Sequence, residues 1–266
     1  MSLLENLKND RFPSLNLSLH GKVLLVELNR PRELNALSTD MLGQISNCLL
    51  EADFDESVSV MVITGNERAF AAGADIDELR RKTGADVATD PRNDHWLAIR
   101  NLQKPLIGAV NGFCLGGGNE LAMLCDFLVA GSNAQFGQPE INLAILPGAG
   151  GTQRLASLVG KGRTMRWCLT GEFIDASVAL SCGLITEVCE PELTVEKALI
   201  LADKIAHKAP LAVLEIKRAV KATLDATLEH GLCVERAAFT RLLDTEDKQE
   251  GIAAFKEKRP PNYQGK

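Results

Sequence analysis

Three apolar runs, VSVMVIT at 58–64, LIGAV at 106–110 and FLVA at 127–130, constrain the fold of this chain more than any other feature. Each has the length of a buried strand, and none shows the alternation of a strand with one face in water. Ahead of them, SLNLSLHGKVLLVELNRP places Leu15, Leu17 and Leu19 on one face, turns at His20–Gly21 and resumes from Val23 to Leu28, which predicts a β-hairpin. Ser38 is placed to cap a helix whose Met41, Leu42, Ile45, Leu49 and Leu50 recur at helical spacing. Strands alternating with helices define an α/β fold for the first two thirds of the chain.

Past about residue 150 the strand signal thins to GLITEVC (183–189), and helical periodicity covers roughly 163–170, 175–182, 194–208, 211–225, 229–243 and 246–257. The change separates a core over residues 1–195 from a helical carboxyl-terminal region over 196–266. No repeat, low-complexity segment or long linker divides the two, so they read as layers of one subunit.

Composition removes several function classes. A net charge of −6 argues against non-specific nucleic-acid binding, which needs a concentrated basic face. No apolar run approaches the ~20 residues of a membrane span. The amino-terminal MSLLENLKNDRFPSL mixes Glu5, Lys8, Asp10 and Arg11 with leucines, unlike a signal or transit peptide, and a cytoplasmic location is expected. Seven cysteines stand singly without a C-x-x-C pair, and the four histidines form no H-E-x-x-H. Reduced thiols and no protein-bound metal are expected.

Three glycine clusters, AAGAD (71–75), NGFCLGGGNE (111–120) and PGAGGTQRL (147–155), each precede or open a plausible helix. None completes a phosphate fingerprint: GAGGTQ ends in Gln153 where a dinucleotide motif needs glycine, and LASLVGK has Leu155 at the first Walker position. No G-x-S-x-G elbow is present. Glycine at a helix start lets a ligand approach the first amides, which have no partner inside the helix and lie at its positive end. Two such amides aimed at one oxygen make an oxyanion hole. Each cluster taken alone is equally what a tight turn or close helix packing asks for.

Glu120 lies just inside the helix opened by the triple glycine, and Glu140 follows Pro139 in AQFGQPEINLAILPG. Singly, the first reads as a capping-turn acid and the second as a loop acid. As a pair beside free amides they can hold one water and add it across an activated double bond, one acid taking a proton and the other giving one to carbon.

Six longer stretches stand out beyond these: LNRPRELNAL (28–37), VITGNERAFAAGADIDEL (62–79), KPLIGAVNGFCLGGGNELAMLCD (104–126), AQFGQPEINLAILPGAGGTQRL (134–155), LTGEFIDASVALSCGLITEV (169–188) and EGIAAFKEKRPPNY (250–263). Through them the chain resembles the enoyl-CoA hydratase/isomerase, or crotonase, superfamily along essentially its whole length. It implies a crotonase-type ββα spiral of two nearly perpendicular sheets, followed by helices that assemble trimers or dimers of trimers. It also implies an oxyanion hole at the amides of Ala74 and Gly117, and a pair of hydratase glutamates at Glu120 and Glu140.

The activity so implied is reversible addition of water to a trans-2-enoyl-CoA, in fatty-acid or aromatic-acid catabolism, with Glu120 the expected base and Glu140 the expected proton donor to C2. Coenzyme A is then part of the substrate, and no separate cofactor, nucleic acid or membrane partner is expected. Its contacts are expected at Arg30 and Arg32, along Ala74, Asp75, Ile76 and Asp77, at Gly117, and at Phe255 and Lys258 near the adenine, the last two from a neighbouring subunit or the same one. Relatives with the same oxyanion hole include isomerases, dehalogenases, hydrolases and ring-forming synthases.

Two residues depart from the common pattern: Asn119 stands where many hydratases have cysteine, and Ala144 where glycine is frequent. A Δ3,Δ2-enoyl-CoA isomerase needs only one base, and an idle acyl-CoA-binding homologue needs neither acid, so the intact pair favours hydration over both. The overall likeness leans to bacterial short-chain hydratases, among them those acting on 2,3-dehydroadipyl-CoA. A terminal carboxylate on the acyl chain would find basic partners in segment 80–100, at Arg80, Arg81, Lys82, Arg92 or His95.

Overall fold

The computed structural model describes residues 11–266, so Glu5, Lys8 and Asp10 lie outside the described residues. Strands β1 (Leu15–His20) and β2 (Val23–Leu28) form the expected hairpin, with Leu15 opposite Leu28 and His20 opposite Val23. Helix α1 (Thr39–Phe54) follows, and the Ser38 hydroxyl caps it by accepting the Met41 N–H at 3.1 Å.

From there one unit recurs three times. The first is β3 (Val60–Thr64), β4 (Ala69–Ala71) and α2 (Ile76–Arg81), extended by α3 (Arg92–Arg100). The second is β5 (Leu106–Val110), β6 (Phe113–Leu115) and α4 (Gly117–Ala122). The third is β7 (Phe127–Gly131), β8 (Gln135–Gly137), a 3₁₀ turn (Pro139–Leu143) and α5 (Gly151–Val159). Then come α6 (Lys161–Thr170), β9 (Ile174–Asp175), α7 (Ala176–Ser181) and β10 (Glu187–Cys189). Helices α8 (Thr194–Ala206), α9 (Pro210–Asp225), α10 (Leu228–Leu243) and α11 (Glu246–Glu257) complete the chain.

The first strand of each unit joins a six-stranded sheet ordered β1-β2-β3-β5-β7-β10, and the second joins a four-stranded sheet ordered β4-β6-β8-β9. The chain crosses from one sheet to the other in every unit before its helix, which is the ββα spiral implied by the resemblance. The large sheet is parallel from β2 to β10.

Its middle strands are buried on both faces, as their unbroken apolar runs require. Val60, Val62, Ile107, Ala109 and Val129 pack against Ala198 and Ala202 of α8, while Met61, Ile63, Leu106, Val110 and Leu128 point into the main core with Met41, Leu42 and Ile45 of α1. Each larger side chain so enclosed contributes about 1.5–3 kcal/mol. The second sheet is implied by the resemblance, but none of its strands shows in the residue pattern, because they span two or three residues and no period can appear in them. The run GLITEVC pairs only from Glu187, since Gly183 at φ +81° turns the chain out of α7 first.

Candidate active site

The site is assembled from the ends of the small-sheet strands. After β4, Gly73 at φ +126° turns the backbone, and Ala74 forms a parallel bridge with Leu37. That bridge uses the Leu37 N–H to the Gly73 carbonyl and the Asp75 N–H to the Leu37 carbonyl, leaving the Ala74 amide outside the pairing. Asp75 then caps α2 through the Glu78 N–H at 3.3 Å.

After β6, Gly116 adopts φ +50° and ψ −123°, a conformation open to glycine alone, and α4 begins. The helix presses against β4 so closely that a Cβ on Gly118 would lie 2.0 Å from the Ala71 carbonyl oxygen. This approach brings the Gly117 amide beside that of Ala74: a Cβ on Gly117 would sit 3.5 Å from the Ala74 nitrogen. As first residue of α4, Gly117 contributes one of the orphan donors of that helix. Two amides that donate to no other group among the described residues thus lie side by side.

Glu120, one turn further, is 3% exposed. It does not cap its own helix. Its Oε1 accepts the N–H groups of Ala149 and Gly151, both at 2.7 Å, from the loop that opens α5. Burial raises its pKa, while those two hydrogen bonds and the charges of Arg154 and Arg92 act to lower it. Asn119 donates to the Gly137 carbonyl at 3.4 Å, and its buried Oδ1 has no hydrogen-bond partner among the described residues.

Glu140 is half-buried on the 3₁₀ turn after β8, where Pro139 starts the turn and Ala144 ends it in the left-handed region. Its Oε1 lies 2.9 Å from where a Gly116 Cβ would be, so the carboxylate packs against the glycine that opens α4. With the Gln138 amide oriented to donate, its nitrogen reaches the two carboxylate oxygens at 3.0 and 3.2 Å. Burial, with the Glu120 charge adding to it, pushes the Glu140 carboxyl up to about 7. The Cys168 thiol of α6 also feels both acids.

Two coupled acids with one proton between them form a competent acid–base pair. Fully protonated it lacks a base, and fully ionised it lacks a proton to deliver. A bell-shaped pH dependence of kcat/KM is therefore expected, with the alkaline limb near pH 7 where Glu140 loses its proton. A profile flat for about two units on either side of that limb would remove Glu140 as the proton donor.

The other predicted residues are distributed more widely. Arg30 donates to the Ala36 carbonyl at 2.7 Å and reaches Asp75 Oδ2 through both terminal nitrogens at 3.3 Å, fastening the 30–36 loop to the cap of α2. Arg32, Ile76 and Asp77 are exposed around the same edge. Within one subunit, no hydrogen bond or ion pair among the described residues ties Phe255 or Lys258 to the two glutamates. Phe255 is 86% exposed on α11, and Lys258 follows that helix at φ +55°. Sequence reasoning passed over Gln138 and Arg154, whose only signal is adjacency in sequence to Glu140 and to the PGAGG loop.

Comparison with known proteins places this arrangement in a wide group. The model of the enoyl-CoA hydratase/isomerase family matches residues 19–266. The 2,3-dehydroadipyl-CoA hydratase of Escherichia coli (strain K12) is 49% identical over 252 residues, covering 95% of this chain and 99% of that protein. The mitochondrial enoyl-CoA hydratase of Pongo abelii is 42% identical over 244 residues, 92% of this chain and 84% of that one. A crystal structure of an enoyl-CoA hydratase from Bacillus anthracis superposes with a TM-score of 0.90 at 38% identity, covering 95% of this chain and 100% of the other.

Proposed function

The chain belongs to the enoyl-CoA hydratase/isomerase family, and on that premise we propose that it is an enoyl-CoA hydratase, adding water reversibly to a trans-2-enoyl-CoA to give a 3-hydroxyacyl-CoA. What supports the reading most directly is the unequal pair of acids: Glu120 held by two amides and two nearby cations, Glu140 shifted to about 7. The first is suited to hold water as a base and the second to carry a proton at neutral pH.

In the forward step the thioester carbonyl oxygen accepts the Ala74 and Gly117 amides. Glu120 takes a proton from water as its oxygen bonds to C3, and the π pair moves through C2 onto the thioester oxygen. Glu140 then delivers its proton to C2 and the carbonyl re-forms. The amides act on charge that exists only at the enolate stage, so they lower the barrier rather than merely tighten binding. Coenzyme A enters as part of the substrate, and the step calls on no further cofactor. An isomerase would leave one of the two acids without a task.

The same reading includes a homo-oligomer, a trimer or a dimer of trimers, in which residues 196–266 join subunits and residues 1–195 carry the site. Ile216, Val220, Leu224, Leu228, Leu232 and Phe239 are exposed on α9 and α10 of the single chain, an apolar surface that assembly would cover. CoA contacts at Arg30, Arg32, Asp75, Ile76, Asp77, Phe255 and Lys258 belong to it, as does a cytoplasmic location. Among the described residues, no helix is long and apolar enough to cross a membrane.

The test is the loss of conjugated-thioester absorbance when the purified protein meets crotonyl-CoA. CoA-thioester binding without that loss would sink short-chain hydration. A finer reading, an acyl chain ending in a carboxylate, is supported by the Escherichia coli relative and by Arg92, a half-buried residue of α3 whose charge reaches Glu120. Lys82 is paired with Asp90 instead, and the His95 ring is turned onto Gly43 of α1. Turnover of 2,3-dehydroadipyl-CoA about tenfold above crotonyl-CoA in kcat/KM is expected, the worth of one charge-assisted pair, with Arg92→Ala abolishing the difference. Equal turnover in the unmodified protein would remove the preference.

A further inference from the structure

The loop that aims Glu120 is itself held by a charged side chain. Ala149 and Gly151 donate from the peptides 148–149 and 150–151, and the 149–150 peptide between them carries the Ala149 carbonyl. That Ala149 carbonyl accepts Arg154 Nη1 at 2.6 Å. The guanidinium has folded back over the first turn of its own helix to reach it. Gly150, at φ +100°, leaves the room: a Cβ there would lie 2.2 Å from Arg154 Nη1.

A cation at this end of a helix opposes the helix dipole. Its position is compensated by Glu120, which shares the same three peptides. The Glu120 carboxylate and the Arg154 cation therefore hold the same turn of backbone, one through two amides and the other through the carbonyl between them.

We propose that Arg154 is a positioning residue of the site, holding the Ala149 carbonyl so that the two flanking amides aim Glu120 and keep it ionised. The assignment rests on the hydratase reading for the step that Glu120 performs. Arg154 touches neither water nor substrate in this scheme; it acts through the loop. Besides Arg154, Glu120 is faced by Glu140 from the 3₁₀ turn, Arg92 from α3 and the Cys168 thiol from α6, and these remain in every variant below.

The experiment compares Arg154→Met and Arg154→Lys with the unmodified protein in three measurements: hydration kinetics against pH, thermal unfolding, and infrared titration of the Glu120 carboxyl assigned by difference from Glu120→Gln. Arg154→Met is expected to lower kcat about 10²-fold with KM little changed, the cost of misplacing a catalytic group by an ångström. Its acid limb and its Glu120 titration should both move up by roughly one pH unit, because a favourable charge and two ordered hydrogen bonds are weakened together. Arg154→Lys, which keeps the charge, should restore most of the limb.

A fall in kcat with an unmoved limb and a lower Tm would make Arg154 a stabilising residue only, and an unchanged Glu120 titration in Arg154→Met would overturn the proposal outright. An unmodified protein that fails to hydrate any enoyl-CoA would overturn the hydratase reading instead. In that case the infrared titration still decides whether Arg154 governs Glu120.

Discussion

Glu120→Gln is expected to lower kcat for crotonyl-CoA hydration by about 10²–10⁴-fold while leaving the fold intact, and Glu140→Gln to do the same. The glutamine carbonyl can take the place of Oε1 and accept both the Ala149 and Gly151 amides, so the α5 loop keeps its anchor. What is lost is the capacity to take a proton. Glu120→Ala would differ in kind: the buried Gly151 amide would lose its acceptor at about 1–3 kcal/mol and the part-buried Ala149 amide would lose its own, so Tm should fall with activity. If the two acids act on one water as proposed, the double variant should be little worse than either single one. Additive losses, with the double variant slower by the product of the two, would show that the acids act independently and would sink the one-water mechanism.

Gly117→Ala carries the second large effect and probes the backbone. The new methyl would meet the Ala74 nitrogen at 3.5 Å, an ordinary contact, so the chain should fold with a stability change within about 1 kcal/mol. In the proposed oxyanion hole the methyl would nevertheless intrude beside the Ala74 amide, one of the two donors meant for the thioester oxygen. Loss of about 10²–10³-fold in kcat/KM is expected, as large as losing one oxyanion donor, because the methyl bars the oxygen from an amide that is itself still present. Gly118→Ala is the contrast: its Cβ would fall 2.0 Å from the Ala71 carbonyl, which only a shift of α4 away from β4 can relieve, and the folded yield should collapse. A Gly117→Ala protein with ordinary turnover would mean that the oxygen is bound elsewhere.

The parts of this structure legible in the sequence are those whose side chains repeat. Leu15, Leu17 and Leu19 announce their strand by period, Ser38 announces a helix by chemistry, and the apolar strands of the large sheet are visible because both of their faces need cover. The small sheet is silent, since Ala69–Ala71 and Phe113–Leu115 are shorter than one informative repeat. The two glutamates stand out by residue type, but the groups that set their character do not. Ala149 and Gly151 act on Glu120 through main-chain nitrogen, which every residue but proline possesses. Arg154 bonds a carbonyl five residues back, a spacing outside the usual helical pairs.

The order in which the spiral delivers its parts also sets a timetable for synthesis. Ala74 leaves the ribosome with the first ββα unit, Gly117 and Glu120 with the second, Glu140 with the third, and the amide of Gly151, 31 residues after Glu120, opens the helix that follows. At about 5–20 residues per second, some 2–6 s pass between translation of the carboxylate and translation of the last amide that receives it. For nearly all of that interval, until Ala149 arrives two residues before Gly151, the nascent chain holds an acid destined for burial and neither of the amides that receive it, so the final setting of Glu120 waits for the third unit. A ribosome stalled anywhere in that window carries most of the large sheet and no enzyme.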